Sequence, residues 1–276
     1  MDETRDQRGQ KRALRTALAT RRSQRWEVPH PAELTARHGE APAAQLCPKT
    51  LRVLVWNVFK GKRRSFGPRF GELARDRDLI LAQELVFEDS TRALLDAYEG
   101  EWATATSFRY ARRGGVGTGL GTAARASSLR VRALQTLGRE PFTRTPKLAL
   151  FTEYRLGPSP DKTLLVANVH AINFAGFENF RDQLRRIEAA VGEHRGPVLL
   201  AGDFNTWTTR RLRRLEELTR GLDLAPVEFA DDRRTTPLDH AFVRELDVLD
   251  GRVHHGRASD HAALSFELGA EHLLGE

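Results

Sequence analysis

The sequence predicts an α/β protein built on a mixed β-sheet, and three observations carry that expectation. Apolar runs of strand length recur at Leu51–Phe59, Leu79–Leu85, Leu164–Ala171 and Val198–Ala201. Between the last two, Phe177, Phe180, Leu184, Ile187 and Val191 fall at steps of three and four, the stripe of an amphipathic helix packed on a sheet. Chemistry-bearing polar residues then stand at the C-terminal ends of the early runs and at the N-terminal ends of the late ones. Such residues share one edge when the late strands run antiparallel to the early ones.

The elements follow in chain order. Residues 1–25 hold eight Lys+Arg against three Asp+Glu, which leaves 36 against 34 for the remainder, so most of the formal net charge of +7 sits in an N-terminal arm. That arm is either solvated and disordered or helical in part, since Leu14 and Leu18 are spaced i, i+4. Residues 27–50, rich in Ala and Pro without a sustained period, read as a linker or a wrapping segment. Folding proper is expected to start at Leu51, with a single domain over 51–270 and a short tail over 271–276. Leu51–Phe59 ends near Asn57, a lone buried amide that needs a partner or a task. The basic loop Lys60–Arg64 follows it.

Leu79–Leu85 ends on Glu84, and Ser90 is placed to cap a helix over Thr91–Tyr98. The glycines of Gly114–Gly121 miss the spacing of a dinucleotide loop and suit a glycine-rich hairpin or strand. Lys147–Leu156 and Leu164–Ala171 are expected to pair as a hairpin, the second delivering His170 with Asn173 three residues on. After the amphipathic helix, Val198–Ala201 runs through Gly202 into Asp203 and Asn205, whose side chains would share one side of an extended segment. Thr208 is placed to cap a helix running to Arg220, and Trp207 either stacks a base or covers the core. Late strands at Leu238–Val243 and Ala262–Leu268 bring in Asp239, Asp260 and His261. His194, His240, His254, His255 and His272 read as surface or supporting residues.

Composition narrows the function classes. Arg outnumbers Lys by 38 to 6 along the whole chain, so the sequence pI of about 10.0 is a poor guide to the partner. The single Cys47 excludes an internal disulfide and a cysteine-built zinc site. No segment has the roughly 18 apolar residues of a membrane span, and the first residues lack an apolar leader core. A cytoplasmic protein without a transmembrane segment is expected.

One rim thus gathers Asn57, Glu84, His170, Asp203, Asp239, Asp260 and His261. Carboxylates crowded in this way raise one another's pKa unless a cation sits among them. Oxygen ligands without thiolates favour Mg²⁺ or Mn²⁺ over zinc, and a hard cation with neutral histidines suits attack on a phosphoryl centre.

Asn57, Gln83-Glu84, His170 through Asn173, Gly202-Asp203-Phe204-Asn205, Leu238-Asp239-His240 and Ser259-Asp260-His261 together resemble the ordered motif set of the endonuclease/exonuclease/phosphatase superfamily, across roughly residues 51–268. Arg144–Leu150 and Asn168–Phe174 further resemble its uncharacterised YafD-like bacterial branch. The resemblance implies a four-layer α/β sandwich, with two mixed β-sheets packed face to face and flanked by helices, and a Mg²⁺- or Mn²⁺-dependent phosphodiesterase. It implies Glu84 as the main metal ligand, with Asn57 and Asp260 near the metal or its waters. Asp203, oriented by Asn205, would deprotonate the attacking water. His261, held by Asp239, and His170 would stabilise the phosphoryl oxygens, and Asn173 would touch the phosphate. Histidine at position 170 resembles deoxyribonucleases and sphingomyelinases, whereas apurinic endonucleases tend to carry tyrosine there. The expected substrate is DNA or RNA, with Lys60–Arg64, Arg109, Arg112, Arg113, Arg144, Lys147 and Arg233-Arg234 as flanking charges. The alternatives are a small-molecule or lipid-headgroup phosphate, and an inactive binding scaffold.

Overall fold

A computed structural model describes residues 25–159 and 161–273. Most of the basic arm therefore lies outside the described residues, as do the last three positions. Two mixed sheets face each other. The first runs β1 (Trp26–Glu27), β5 (Glu101–Tyr110), β6 (Val116–Ala124), β4 (Leu79–Val86), β3 (Leu51–Asn57), β14 (Ala263–Gly269) and β13 (Asp247–His254), with β2 (Thr35–His38) also on β5. The second runs β11 (Ala225–Pro226), β12 (Asp239–Arg244), β10 (Val198–Asp203), β9 (Thr163–His170), β8 (Leu148–Arg155) and β7 (Ser128–Gln135). Only β3–β4 and β9–β10 pair in parallel among these strands, so each sheet is mixed.

Side-chain alternation sorts the apolar residues into layers. Odd positions of β3 and β4 (Val53, Val55, Leu79, Leu81) meet Leu164, Val166, Leu199, Ala201 and Val243 of the second sheet in one buried cluster. Even positions of the same strands (Leu54, Trp56, Ile80, Ala82) face outward onto α1 (Phe66–Ala74) and α2 (Asp89–Asp96), through Phe66, Phe70, Leu73 and Leu95. The outer face of the second sheet is covered by α3 (Gly176–Gly192) and α4 (Thr209–Gly221). Phe180, Leu184, Ile187 and Val191 of α3 are each no more than 1% exposed, as the stripe predicts, and each contributes about 1.5–3 kcal/mol by burial. Helix, sheet, sheet and helix make the four-layer sandwich expected of the sequence.

Several local expectations change. Folding begins before Leu51: β1 and β2 pair with β5, and Leu46 is buried between the sheets and bridges to Leu156. These strands escape a periodicity reading because β2 is an edge strand with all four residues exposed. Ser90 does not cap α2; the cap position is Glu88, and the Ser90 hydroxyl donates to the Glu88 carboxylate. Thr208 caps α4 as expected, accepting from the Arg211 amide at 3.3 Å. The glycine-rich stretch forms the β5–β6 turn and β6, where a Cβ at Gly119 would come within 1.8 Å of the Ala105 carbonyl oxygen.

Candidate active site

The alternation that fills the core also delivers the site. In β3 the inward set Leu51, Val53, Val55 continues to Asn57. In β9 it continues through Asn168 to His170, in β10 to Asp203, and in β12 it begins at Asp239. These four residues are the last inward positions where the sheets open to solvent. In register, Asp203 is flanked by His170 on one side and Asp239 on the other. Below them the side-chain amide of Gln83 donates across the gap to Asn168 Oδ1 at 2.8 Å, so a polar crosslink fixes the two sheets under the site. Within the second sheet Gly202 lets β10 lie close to β9 beside Asp203, since a Cβ there would lie 2.0 Å from the Val169 carbonyl oxygen.

Asp203 is 1% exposed. Its Oδ2 accepts from Asn57 Nδ2 at 2.9 Å and faces His170 Nε2 at 3.5 Å and His261 Nε2 at 3.9 Å. Burial and the neighbouring Asp239 carboxylate push its pKa up to about 7. His261 Nδ1 lies 2.8 Å from Asp239 Oδ2. Burial opposes a charge on His261, but the Asp239 bond and charge outweigh it and raise its pKa to about 10. Behind the imidazole, Trp56 Nε1 donates to the His261 carbonyl oxygen at 3.1 Å, and the His261 amide donates to Ser259 Oγ at 3.2 Å.

Glu84 reaches the rim through a break in its strand. At an even position it would point into the helix-side core, but the β4–β6 register slips between Ala82 and Leu85 and Glu84 takes φ 57°. Leu85 recovers the core position, and the carboxylate swings to 4.0 Å from His170 Nε2 and 3.9 Å from Lys60 Nζ. Among the described residues no hydrogen bond reaches a Glu84 oxygen. Glu84, exposed Asp260 and the Asn57 side-chain oxygen are hard oxygen donors with no thiolate among them, the donor class that suits Mg²⁺ or Mn²⁺. Asp203, Asp239 and His261 also bring ligand-type atoms within 4.8 Å of one another. In that trio the Asp239–His261 bond favours a protonated imidazole, which would have to give up its proton to take a cation.

Other expected residues take different positions. Asn205 does not converge on Asp203 through its side chain: the strand stops at Asp203, Asn205 adopts φ 51°, and its amide Nδ2 donates to the Ala171 carbonyl oxygen. Its backbone N–H instead donates to Asp203 Oδ1 at 3.0 Å, an Asx turn that still orients the carboxylate. Asn173 Oδ1 accepts from Trp207 Nε1 at 2.8 Å. Trp207 is 49% exposed and does not cover the core; its indole lies at the surface beside the site. Of the basic residues, Lys60 and Lys147 line the adjoining cleft, whereas Arg109, Arg113 and Arg234 form ion pairs with Glu33, Glu88 and Asp232. His240 supports rather than lines the site, bonding Thr206 Oγ1 at 2.7 Å; burial lowers its pKa to about 4.

Lys147, expected only as a flanking charge, and Glu140, not singled out at all, both join the site. Lys147 Nζ lies 2.9 Å from His170 Nε2, and burial depresses the pKa of both groups. The Lys147 amino group and the His170 imidazole therefore form one buried polar pair at this position. The available signal was register: Lys147 immediately precedes Leu148, which pairs with His170. Glu140 is 8% exposed and accepts from the backbone amides of Asn173 and Phe174 at 2.7 and 3.1 Å, locking the loop after β9. Nothing local in the sequence marks it.

A four-layer sandwich with paired carboxylates and histidines at the open end of two sheets defines a hydrolase of phosphoester bonds. The chain belongs to the Endonuclease/Exonuclease/phosphatase family, whose model matches residues 54–261. It is 35% identical over 222 residues to a UPF0294 protein of Vibrio parahaemolyticus, covering 78% of this chain and 76% of that one. Among solved structures it is similar to TDP2 from D. rerio complexed with single strand DNA product (TM-score 0.59, 16% identity, 80% of this chain and 99% of that one). It is similar also to a mannosyl-6-phosphatase of Bacteroides thetaiotaomicron (TM-score 0.57, 14% identity, 79% and 99%).

Proposed function

We propose that this chain is a Mg²⁺- or Mn²⁺-dependent nuclease that hydrolyses phosphodiesters of DNA or RNA by in-line attack of water. The observation that carries the reading is Asp203, a buried carboxylate with a pKa raised to about 7 and one oxygen facing Asn57, His170 and His261. A general base works best with its pKa near the working pH. Asp203 takes the proton of the attacking water, while Asn57 and the Asn205 amide hold the carboxylate in one orientation. His261, kept charged by Asp239, and the Lys147 amino group face the site as donors able to stabilise charge building on the phosphoryl oxygens. Glu84, Asn57 and Asp260 would hold the divalent ion, which supplies Lewis acidity to the phosphoryl group.

The single-stranded DNA product of the D. rerio neighbour supports a nucleic-acid substrate. A small-molecule or lipid-headgroup phosphate is the second reading, favoured by the near-neutral charge outside the arm and by the arginines consumed in ion pairs. The complete acid–histidine set argues against an inactive scaffold. Among the described residues no helix is long and apolar enough to cross a membrane, and the exposed Cys47 accords with a reducing, cytoplasmic setting. Single- and double-stranded DNA and RNA, bis-p-nitrophenyl phosphate and sphingomyelin, each assayed with Mg²⁺ or Mn²⁺, test the reading. Turnover of an oligonucleotide above the other substrates is expected; turnover of sphingomyelin alone would overturn it.

A further inference from the structure

The large exposed hydrophobic residues among the described chain include three aromatics: Phe142 (85% exposed), Phe174 (62%) and Trp207 (49%). Scattered exposed apolar residues need no explanation, but two of these line one cleft and the third is bonded to a residue that lines it. Phe142 and Phe174 line a cleft of about 270 Å³, and Trp207 is hydrogen-bonded to Asn173, which lines the same cleft. Its floor is apolar, from Phe108, Leu120 and Leu148, while Lys60, Glu84, Lys147 and His170 stand where it meets the catalytic rim. One space therefore runs from aromatic and apolar surface to the place where phosphate chemistry is expected.

The aromatic edge is also held in place. The two oxygens of the Glu140 carboxylate accept from the Asn173 and Phe174 amides, and the Glu140 backbone bonds Thr145 and Arg144. One residue thus ties the loop carrying Phe142 to the loop carrying Phe174. The Arg211 guanidinium, buried and bonded to the carbonyl oxygens of Ile172, Asn173 and Asn205, lies 5.1 Å from the Trp207 ring. Aromatic side chains exposed on loops stitched this firmly lose little entropy when something stacks on them.

We propose that this cleft is a base-binding site for single-stranded nucleic acid: one unpaired base enters between Phe142 and Phe174 above the Phe108–Leu120–Leu148 floor, and a neighbouring base stacks on Trp207. The proposal rests on the nuclease reading and deepens it. Its phosphate is set toward Lys60 and Lys147, beside Asp203. A strand is favoured over a lipid because the exposed apolar groups are flat aromatic faces with cations at the mouth. The volume, below the roughly 300–1,000 Å³ of common ligand clefts, suits one base better than an acyl chain. A duplex keeps its bases stacked and paired, so it cannot fill the cleft without opening.

The test uses the metal-loaded enzyme with oligothymidylate and oligouridylate, matched duplexes, bis-p-nitrophenyl phosphate and sphingomyelin micelles. Stacking on an aromatic face is available to every base, so its loss should be felt on any single strand. The ratio of kcat/KM for the single strand to that for bis-p-nitrophenyl phosphate should fall roughly 10- to 100-fold in the Phe142→Ala/Phe174→Ala double variant, and wild-type enzyme should prefer single strand to duplex. In Asp203→Asn, chosen to block turnover, oligothymidylate should quench indole fluorescence, and adding Trp207→Phe should remove that quench. Oligonucleotide cleavage with an unmoved ratio and no Trp207-dependent quench overturns the base site alone. Bis-p-nitrophenyl phosphate turnover with neither oligonucleotide cleavage nor quench overturns the nuclease reading with it. Sphingomyelin turnover that the double variant selectively loses would assign the cleft to lipid.

Discussion

The two sheets contribute opposite kinds of chemistry to one rim. On the second sheet His170, Asp203 and Asp239 are all at most 7% exposed and are bonded to one another or to partners fixed in the protein. On the first, Glu84 is half-buried with no hydrogen bond among the described residues, and Asp260 is exposed. Burial is what separates them: removing water from a carboxylate raises its pKa and makes it a base usable near neutrality, whereas an open carboxylate remains free to take a cation from solution. The groups on the second sheet are closed off and paired, whereas the carboxylates on the first stand open. Asn57 joins them, since it stands on the first sheet and donates to Asp203 on the second.

Breaking the open side should have the largest effect. Chelation is expected to abolish hydrolysis of bis-p-nitrophenyl phosphate, with Mg²⁺ or Mn²⁺ restoring it, and Glu84→Gln should raise the metal concentration for half-maximal rate at least tenfold. Full turnover in excess chelator would remove the distinction between the two sides.

On the buried side, Asp203→Asn should lower kcat by roughly 10²–10⁴, the range for loss of a general base. His261→Ala should cost a similar factor, and the double variant should lose less than the product of the two, because both act on one transition state. A folded Asp203→Asn protein with near-wild-type kcat would end the assignment.

The pH profile sharpens the contrast further. Asp203 accepts a proton only when ionised, so kcat/KM should fall about tenfold per pH unit below its pKa of about 7, roughly a hundredfold by pH 5. His261 supplies charge only while protonated, so the rate should hold from about pH 7 toward pH 10 and decline above that. In Asp203→Asn the residual rate should lose the acidic limb; a limb that persists with the same midpoint would point to another base.

The smallest expected effect is at Lys147. Lys147→Met removes the amino donor while keeping most of the packing, and should lower kcat about tenfold with little change in metal requirement. A shift in metal dependence equal to that of Glu84→Gln would place Lys147 on the open side of the rim instead.

Much of this was readable along the chain. Apolar runs of strand length located β3, β4, β9 and β10, and the inward sets of β3, β9 and β10 end at Asn57, His170 and Asp203, since side chains alternate strictly in an extended strand. The less apolar elements escaped that reading. Strand β13 is exposed at most of its positions, and α1 reads Phe-Gly-Pro-Arg-Phe-Gly-Glu-Leu-Ala, with two glycines and a proline that weaken a helical signal. Trp207 was ambiguous because an indole serves a core and a surface equally well, and its neighbours decide which.

By itself, the sequence determined the main strands and helices and the set of acids, amides and histidines at the strand ends, because periodicity and motif order are local properties; the layer order was implied only by the family resemblance those motifs carry. Tertiary structure alone decided which of them share a proton and which stand open. Asn57 meets Asp203 across 146 positions, Lys147 meets His170 across 23, and a bulge frees Glu84 from the core it would otherwise enter. Those pairings set the desolvation and the neighbouring charge at each group, and such quantities depend on distance in space, which spacing along the chain does not record.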